Sequence, residues 1–525
     1  MERRRDPELV ISIWLLLFST IFTRLSYSSD SISAGQSLFS NQTLSSKEGN
    51  FELGFFAPGN SQNYYIGIWY KNVSAINKTY VWVANRNTPL TDSNSSELKL
   101  LESGDLVLYD QLKTVVWSTN TTSNAMNSSR VVLGDNGNLI LENGIDRFKA
   151  SDVYWQSFDY PTDTLLPGAK LGYDNRTKRS RPLTSWKNPN DPAKGMYSLE
   201  LDPIGEQILM KWNGTEEYWS SGRWNGSIFS GIPEMSSDYI LKFLYENNVN
   251  ESYFSFDFYD SATTGRFVME LSGQVKQRTW DTTSKQWFLF WTQPRQQCDV
   301  NAFCGANGVC SQNGFPFCKC MDGFEPRSQT DWNMADYSSS GCVRKYPLQC
   351  GKDDLSPLPN VKLPKHPMSM SVGSANECKS ACLNNCSCSA YSYNTECSIW
   401  NGDLFGVQLS DGDGYGGDLY LKVSAFQSSG GKNKGTITTV IVGVATGIVA
   451  LLGLVLLVIW IWKKMLLKKG ELLRSIFYSN ISKLTHLVIM NVMVRLNISR
   501  YRQEKRKQRV RATFIHDGHN RESYK

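Results

Sequence analysis

From residue 31 to about residue 150, apolar residues come in short β-branched and aromatic runs such as "YYIGIWY" (Tyr64–Tyr70) and "TYVWVAN" (Thr79–Asn85), broken by Gly, Asn and Pro. Runs of this length and composition predict strands rather than helices. The pattern also repeats. "GNFEL" at Gly49, "GDLVL" at Gly104 and "GNLIL" at Gly137 are variants of one phrase, and Trp82, Trp117 and Trp155 recur at intervals of 35 and 38 residues. A unit this small buries its apolar face only by stacking on its copies. The expected result is three pseudo-equivalent small sheets around a Trp-filled centre.

Two runs break the strand pattern. "LVISIWLLLFSTIF" (Leu9–Phe22) follows Arg3, Arg4 and Arg5, is too short to span a bilayer, and precedes the small residues Ser26 and Ser28. Residues 1–28 therefore read as a signal peptide, with the mature chain starting near Ser29. Thr438–Trp462 holds 25 residues without a charge, ends in interface-favouring Trp460 and Trp462, and runs into Lys463, Lys464, Lys468 and Lys469. That is the pattern of a membrane-spanning helix leaving on the cytoplasmic side.

Charge agrees with this orientation. Residues 463–525 carry 16 Lys+Arg against 4 Asp+Glu, a net +12, which leaves the rest of the chain at −6 within a total of +6. A mildly acidic body with a basic tail argues against nucleic acid and for anionic lipid at the inner surface. Acceptor sequences for N-glycans occur at Asn41, Asn72, Asn77, Asn94, Asn120, Asn127, Asn175, Asn213, Asn225, Asn250 and Asn385, all on the side expected to be extracellular. Those at Asn480 and Asn497 fall in the tail and are expected to stay bare. The twelve cysteines lie between Cys298 and Cys397, with none in the tail. This distribution fits disulfides in an oxidising compartment.

Candidate catalysts are scarce. His366, in "LPKHPMS", is the sole histidine before the span, and its flanking prolines place it on a surface loop. A Ser-His-Asp arrangement would have to use that residue, so no enzyme, cofactor or metal site is expected outside the membrane.

Some stretches resemble a known family. "VWVANRNTPL" (Val81–Leu90) and the three Gly-centred phrases resemble the bulb-type mannose-binding lectin domain of plant S-domain receptors. "YWQSFDYPTDTLLPGAKLG" (Tyr154–Gly172), "LTSWKNPNDPAKGMYSLELDPIG" (Leu183–Gly205) and "YWSSGRWNG" (Tyr218–Gly226) are similar to the S-locus-glycoprotein region that follows it. "CDVNAFCGANGVCSQNGFPFCKCMDGFEP" resembles an EGF-like module, and "ECKSACLNNCSCSAYSYNTECSIW" a PAN/apple domain, with "NECKSACL" a short helix placing Cys378 and Cys382 on one face. The implied architecture is mainly β and multidomain. A lectin β-prism at 29–153 precedes an S-locus-glycoprotein β region at 154–293, an EGF-like module at 294–342 and a PAN/apple module at 343–423. A linker (424–437), one transmembrane helix (438–462) and a cytoplasmic tail (463–525) complete it.

The resemblance implies specific sites. Mannose-binding members carry Gln-x-Asp-x-Asn-x-Val-x-Tyr, whose amides and carboxylate converge on vicinal hydroxyls. In the second repeat those places hold Leu101, Ser103, Asp105, Val107 and Tyr109; in the third, Gly134, Asn136, Asn138, Ile140 and Glu142. Replacement of Gln by Leu removes a donor and an acceptor, so sugar binding there is expected to be lost. Spacing alone leaves fifteen pairings open for each set of six cysteines. The family patterns imply Cys298–Cys310, Cys304–Cys318, Cys320–Cys342, Cys378–Cys397 and Cys382–Cys388, leaving Cys350 to pair with Cys386. Asp299 is the lone acidic residue near the EGF-like entry, so no calcium is expected.

Receptors of this type continue into a Ser/Thr kinase, which requires a Gly-rich phosphate loop and a catalytic-loop Asp. The tail holds Gly470 and Gly518 and no such signature. The expectation is therefore a kinase-lacking, single-pass plasma-membrane receptor with its N-terminus outside. It would bind an extracellular peptide or glycan and form homo- or hetero-oligomers with like receptors in self/non-self, pollen or pathogen recognition. It would act as a decoy for full-length kinases. The alternative is a gene model that has lost its kinase exons.

Overall fold

The computed structural model describes residues 29–73, 78–121, 128–144, 153–237, 239–333, 337–410 and 416–425, together with Leu457, Ile459 and Trp460. The expected signal peptide, the tail and all but those three residues of the expected span lie outside the described residues. Among the described residues no helix is long and apolar enough to cross a membrane.

Residues 31–156 form three four-stranded antiparallel sheets, laid down in a nested order. Ser31–Ser33, Ser37–Phe39 and Thr43–Ser45 each place one edge strand on a different sheet. The chain then completes the third sheet (Phe51–Phe56, Tyr65–Tyr70, Tyr80–Val83) and the second (Glu97–Leu100, Leu106–Tyr109, Val115–Ser118). Last comes the first (Ser129–Leu133, Leu139–Asn143, Val153–Gln156). The outermost pairing sets Ser31 opposite Val132. Alternating burial along the strands directs Leu98, Leu100, Leu106, Leu108, Val131 and Leu141 into a shared core. At its centre Trp82, Trp117 and Trp155 meet edge-to-face in all three combinations, centroids 5.8–6.0 Å apart. The expected Trp-filled centre is present, and edge-to-face contacts of this kind add to what burial alone contributes.

Residues 164–293 repeat the plan, which the sequence did not reveal. Thr164–Leu165 starts one sheet, and Leu171–Asp174 with Arg179–Arg181 starts a second. Leu183–Asn188, Asp191–Asp202, Gln207–Trp212 and Glu216–Ser220 form the third whole. Leu241–Asn247 and Glu251–Phe258 then finish the second, and Gly265–Met269, Val275–Asp281 and Gln286–Gln293 the first. This is a second prism with similar nesting, except that its second sheet starts with two strands rather than one, and a core of Leu165, Leu171, Leu199, Phe254, Phe267 and Met269.

The cysteine-rich segments, expected as separate modules, share one sheet. Gly308–Cys310 pairs in parallel with Val407–Leu409, which joins the first segment's hairpin to the second segment's strands in an eight-stranded sheet. Neither segment is large enough to cover its own sheet edge, and merging removes two. The helix Ala375–Asn384 is capped at Ser374, whose side chain accepts from Glu377 N, and buries Cys378 and Cys382. Its C-terminal carbonyls receive the fully buried Lys422 ammonium, which donates to Cys382 O, Leu383 O and Asn385 O at 3.1–3.3 Å. A cation suits a helix C-terminus.

Candidate ligand sites

The lectin-type positions come first. In the second repeat, Asp105 accepts from Ser118 Oγ and Thr119 Oγ1, both at 2.5 Å, and Thr119 Oγ1 in turn accepts from Leu106 N at 3.1 Å. In the third, Asn138 is 5% exposed; its Nδ2 donates to Gln156 Oε1 at 2.9 Å and its Oδ1 accepts from Ser157 Oγ and Phe158 N. Ser157 Oγ accepts from Leu139 N at 2.9 Å. Asp105, which replaces the motif's Asn in the second repeat, and Asn138, which retains it in the third, are therefore committed to closing the hairpins that carry them. Leu101 and Ser103 add no amide, Val107 is buried, and Glu142 is engaged by Arg130 (Nε to Oε1, 2.8 Å).

The same clip appears in the second prism. Ile208 N donates to Ser221 Oγ at 2.8 Å, and Ser220 Oγ donates to Gln207 Oε1 at 2.7 Å. Trp219-Ser220-Ser221 stands where Trp117-Ser118-Thr119 and Trp155-Gln156-Ser157 stand in the first. Even the left-handed residue is kept: Glu206 (φ +52°) takes the place of Gly104 (+84°) and Gly137 (+83°). At Gly137 a Cβ would lie 2.6 Å from Leu166 Cδ1, so glycine is needed for contact as well as conformation.

"VWVANRNTPL" has a structural meaning. Arg86, 7% exposed, reaches from the first prism into the second and donates to Pro192 O (2.7 Å), Ser185 O (2.9 Å) and Thr184 O (3.1 Å). Asn85 Oδ1 accepts from Ile66 N at 2.9 Å, and Trp82 Nε1 donates to Tyr160 O at 2.8 Å. In return Arg266 donates to Tyr80 O at 3.0 Å, Trp287 Nε1 to Thr79 Oγ1 at 3.2 Å, and Tyr70 OH donates to Gly265 O at 3.1 Å. Burial pushes the Tyr70 hydroxyl well up and the Arg86 and Arg266 guanidiniums down. Burial also raises the Asp163 carboxyl, although Arg86 and Arg266 oppose it.

The second prism encloses an apolar cavity of about 290 Å3 lined from all three sheets, by Leu171, Leu199, Phe243, Phe254, Phe267 and Trp291 among others. Beside it runs the edge strand Gln286–Gln293, on which Phe288, Leu289 and Phe290 are each about half exposed. Phe290 lines the cavity and faces solvent at once.

The structure pairs Cys298 with Cys310, Cys304 with Cys318, Cys320 with Cys342, Cys350 with Cys386, Cys378 with Cys397 and Cys382 with Cys388. Cys304, Cys310 and Cys318 lie close enough to resemble a metal cluster, but their sulfurs are engaged in these bonds. Of the glycan acceptors, Asn41, Asn72, Asn94, Asn120, Asn213, Asn225 and Asn250 are exposed and Asn175 and Asn385 half-buried; Asn77 and Asn127 lie outside the described residues. His366 is exposed, with Nε2 3.1 Å from Glu216 Oε2.

Two clasped prisms followed by a disulfide-stapled sheet make up an ectodomain-type architecture with a lectin-type first domain. Residues 79–187 match the D-mannose binding lectin family, 219–328 the S-locus glycoprotein domain and 349–407 the PAN-like domain. The chain is 36% identical to S-locus-specific glycoprotein S6 of Brassica oleracea over 432 residues, covering 80% of this chain and 97% of that one. It is 35% identical to the putative inactive G-type lectin S-receptor-like serine/threonine-protein kinase SRK of Arabidopsis thaliana, covering 92% and 88%. It is 43% identical to another Arabidopsis thaliana G-type lectin S-receptor-like serine/threonine-protein kinase over 451 residues, covering 82% and 54%. The chain thus belongs to the family of the G-type lectin S-receptor-like kinases and S-locus glycoproteins. It spans about half the length of the receptor kinases it matches.

Proposed function

We propose that the protein is the recognition portion of a single-pass plasma-membrane receptor that detects an extracellular polypeptide and associates with like receptors, in self/non-self, pollen or pathogen perception. The observation that carries this reading is the division of labour between the prisms. In the first, Asp105 and Asn138, at the sugar motif's amide position, are spent on their own hairpins. The second presents Phe288, Leu289 and Phe290 on an open strand edge next to an apolar cavity. An exposed edge with apolar side chains suits strand addition by a polypeptide, because main-chain bonds supply affinity and alternate side chains supply specificity. The glycan acceptors and disulfides fit an extracellular location. Wherever the chain is made without a kinase behind it, it competes with kinase-bearing relatives for ligand or partner by mass action.

The test is co-immunoprecipitation with a kinase-bearing relative at the cell surface, together with phosphorylation of that relative. Overexpression of the chain is expected to capture the relative and lower its phosphorylation, and Phe288→Asp with Phe290→Asp to abolish both effects. Association that survives the double substitution removes this edge as the recognition surface.

A further inference from the structure

The two prisms also meet along a groove of about 470 Å3 with mixed polar and apolar walls, within the range of ligand pockets. Asn50, Asn72, Asp135 and Asn136 come from the first prism; the segment from Asp257 to Gly265 comes from the second, with Phe258 as a partly apolar wall. Carboxamides, carboxylates and hydroxyls share the lining with apolar faces of Phe51, Tyr70, Val73 and Phe258, and no Lys or Arg is among the lining residues. An anionic ligand would meet like charge from Asp135 and Asp257. A neutral polyol meets donors, acceptors and an apolar face.

Several of these groups are already held in place. Asp135 Oδ1 accepts from Glu48 N at 2.7 Å, Asn136 Oδ1 accepts from Asn138 N at 3.1 Å, and Asn72 Nδ2 donates to Gly49 O at 3.0 Å. Each bond uses one part of the side chain and leaves another for a ligand, so little ordering remains to be done on binding.

We propose that this inter-prism groove binds a neutral saccharide. It is distinct from the second- and third-repeat sugar positions, of which Asn136 alone lines it; Asn50 is the first repeat's counterpart of Asp105 and Asn138, and about half of the wall belongs to the second prism. The placement of Asn72 adds a second, independent feature. It is exposed, lines the groove and begins the acceptor sequence Asn72-Val73-Ser74. The saccharide is therefore either the chain's own N-glycan at Asn72 or a free oligosaccharide, and the chemistry of the groove is the same for both. This proposal stands apart from polypeptide recognition at the Phe288–Phe290 edge, and either can fail alone.

The experiment uses the full-length glycoprotein from secretory cells, in detergent. Endoglycosidase cleavage is followed site by site by mass spectrometry, and binding of mannotriose, xylotriose, cellotriose and the N-glycan core Man3GlcNAc2 by saturation-transfer NMR. If the groove holds its own glycan, the Asn72 glycan resists cleavage in folded but not denatured protein. Asp257→Ala then exposes it, and Asn72→Gln gains binding of Man3GlcNAc2. If the saccharide is external, wild type binds at least one trisaccharide and Asn72→Gln keeps that binding. Asp257→Ala or Thr263→Val then weakens it about tenfold, the loss expected for one hydrogen bond to a charged or polar partner. Asp257 is exposed, so its replacement leaves folding intact, and unchanged thermal unfolding verifies this. Two outcomes overturn the proposal. One is a complete lack of saccharide binding by wild type and Asn72→Gln, with the Asn72 glycan absent or cleaved as fast as that at Asn250. The other is binding or protection that neither Asp257→Ala nor Thr263→Val changes.

Discussion

The two prisms share a nested strand order and a hydroxyl clip at equivalent hairpins, yet their interiors differ. The first closes on three mutually packed indoles, and the void beside Trp82 is about 10 Å3. The second is filled mainly by Leu, Phe and Met side chains, with Trp219 and Trp291 lining a cavity of about 290 Å3. The comparison separates what defines the fold from what defines its use. Strand pairing and polar clips hold the shape in both, while the choice of filling makes one prism a scaffold and leaves the other with room inside.

The strongest way to break this contrast is to remove one indole. Trp155→Ala is expected to cost about 3–5 kcal/mol in the first prism, since three aromatic neighbours and a dense core cannot close over the gap. Leu199→Ala, beside the existing cavity of the second, is expected to fall at the low end of its range, about 2 kcal/mol. Calorimetric unfolding of both variants measures the difference, and equal costs would mean that the cavity is not a real difference in packing.

Next in size is the clasp. Arg86→Lys keeps the charge but cannot supply three donors in a fixed fork. It is expected to cost about 2–3 kcal/mol by leaving buried carbonyls unpaired. Hydrogen exchange should show faster opening at Thr184–Pro192 with the Trp-centred core unaffected; loss of protection throughout the first prism would make Arg86 part of that core instead.

The smallest expected effect is a pH dependence confined to the second prism. Burial works against the Glu270 carboxylate, but Lys276 at 2.7 Å and Arg278 at 2.7 Å hold it below the usual glutamate range. An acid depressed in the folded state stabilises the fold above its unfolded value, near 4.3. That stabilisation is lost as pH falls through the lower folded value. Glu270→Gln is therefore expected to cost about 1 kcal/mol at neutral pH and to flatten the loss of stability below about pH 4. Equal acid sensitivity in the two proteins would remove Glu270 as the cause.

The first prism was legible in the sequence because its signals are residue identities at fixed spacing: three tryptophans and three Gly-centred phrases. The second was not, because only Trp219 and Trp291 keep the register that Trp82, Trp117 and Trp155 hold in the first, and 72 residues of dissimilar sequence separate them. Glu206 took over a left-handed position normally marked by glycine. The departure of the sugar motif was legible from Leu101, whose side chain has no hydrogen-bonding group. The fate of Asp105 and Asn138 was not, since a sequence does not say which way a carboxylate or amide turns. Arg86 was conspicuous within its motif, but its partners are carbonyls about a hundred residues onward, beyond the reach of any local pattern.

The nested strand order also bears on synthesis. Ser31–Ser33 emerges first, yet its partner strand Ser129–Leu133 follows some hundred residues later. At about 5–20 residues per second, that is roughly 5–20 s of waiting. Ser37–Phe39 and Thr43–Ser45 wait for shorter times. An unpaired strand is a template for the wrong neighbour, and long apolar edges are the worst. All three waiting strands are three residues long, and each contains at least one hydroxyl residue and one inward-facing Ile or Leu. They bind firmly only when a finished sheet offers a socket for that one side chain, so the brevity that looks like weakness in the folded protein is protection for the nascent one.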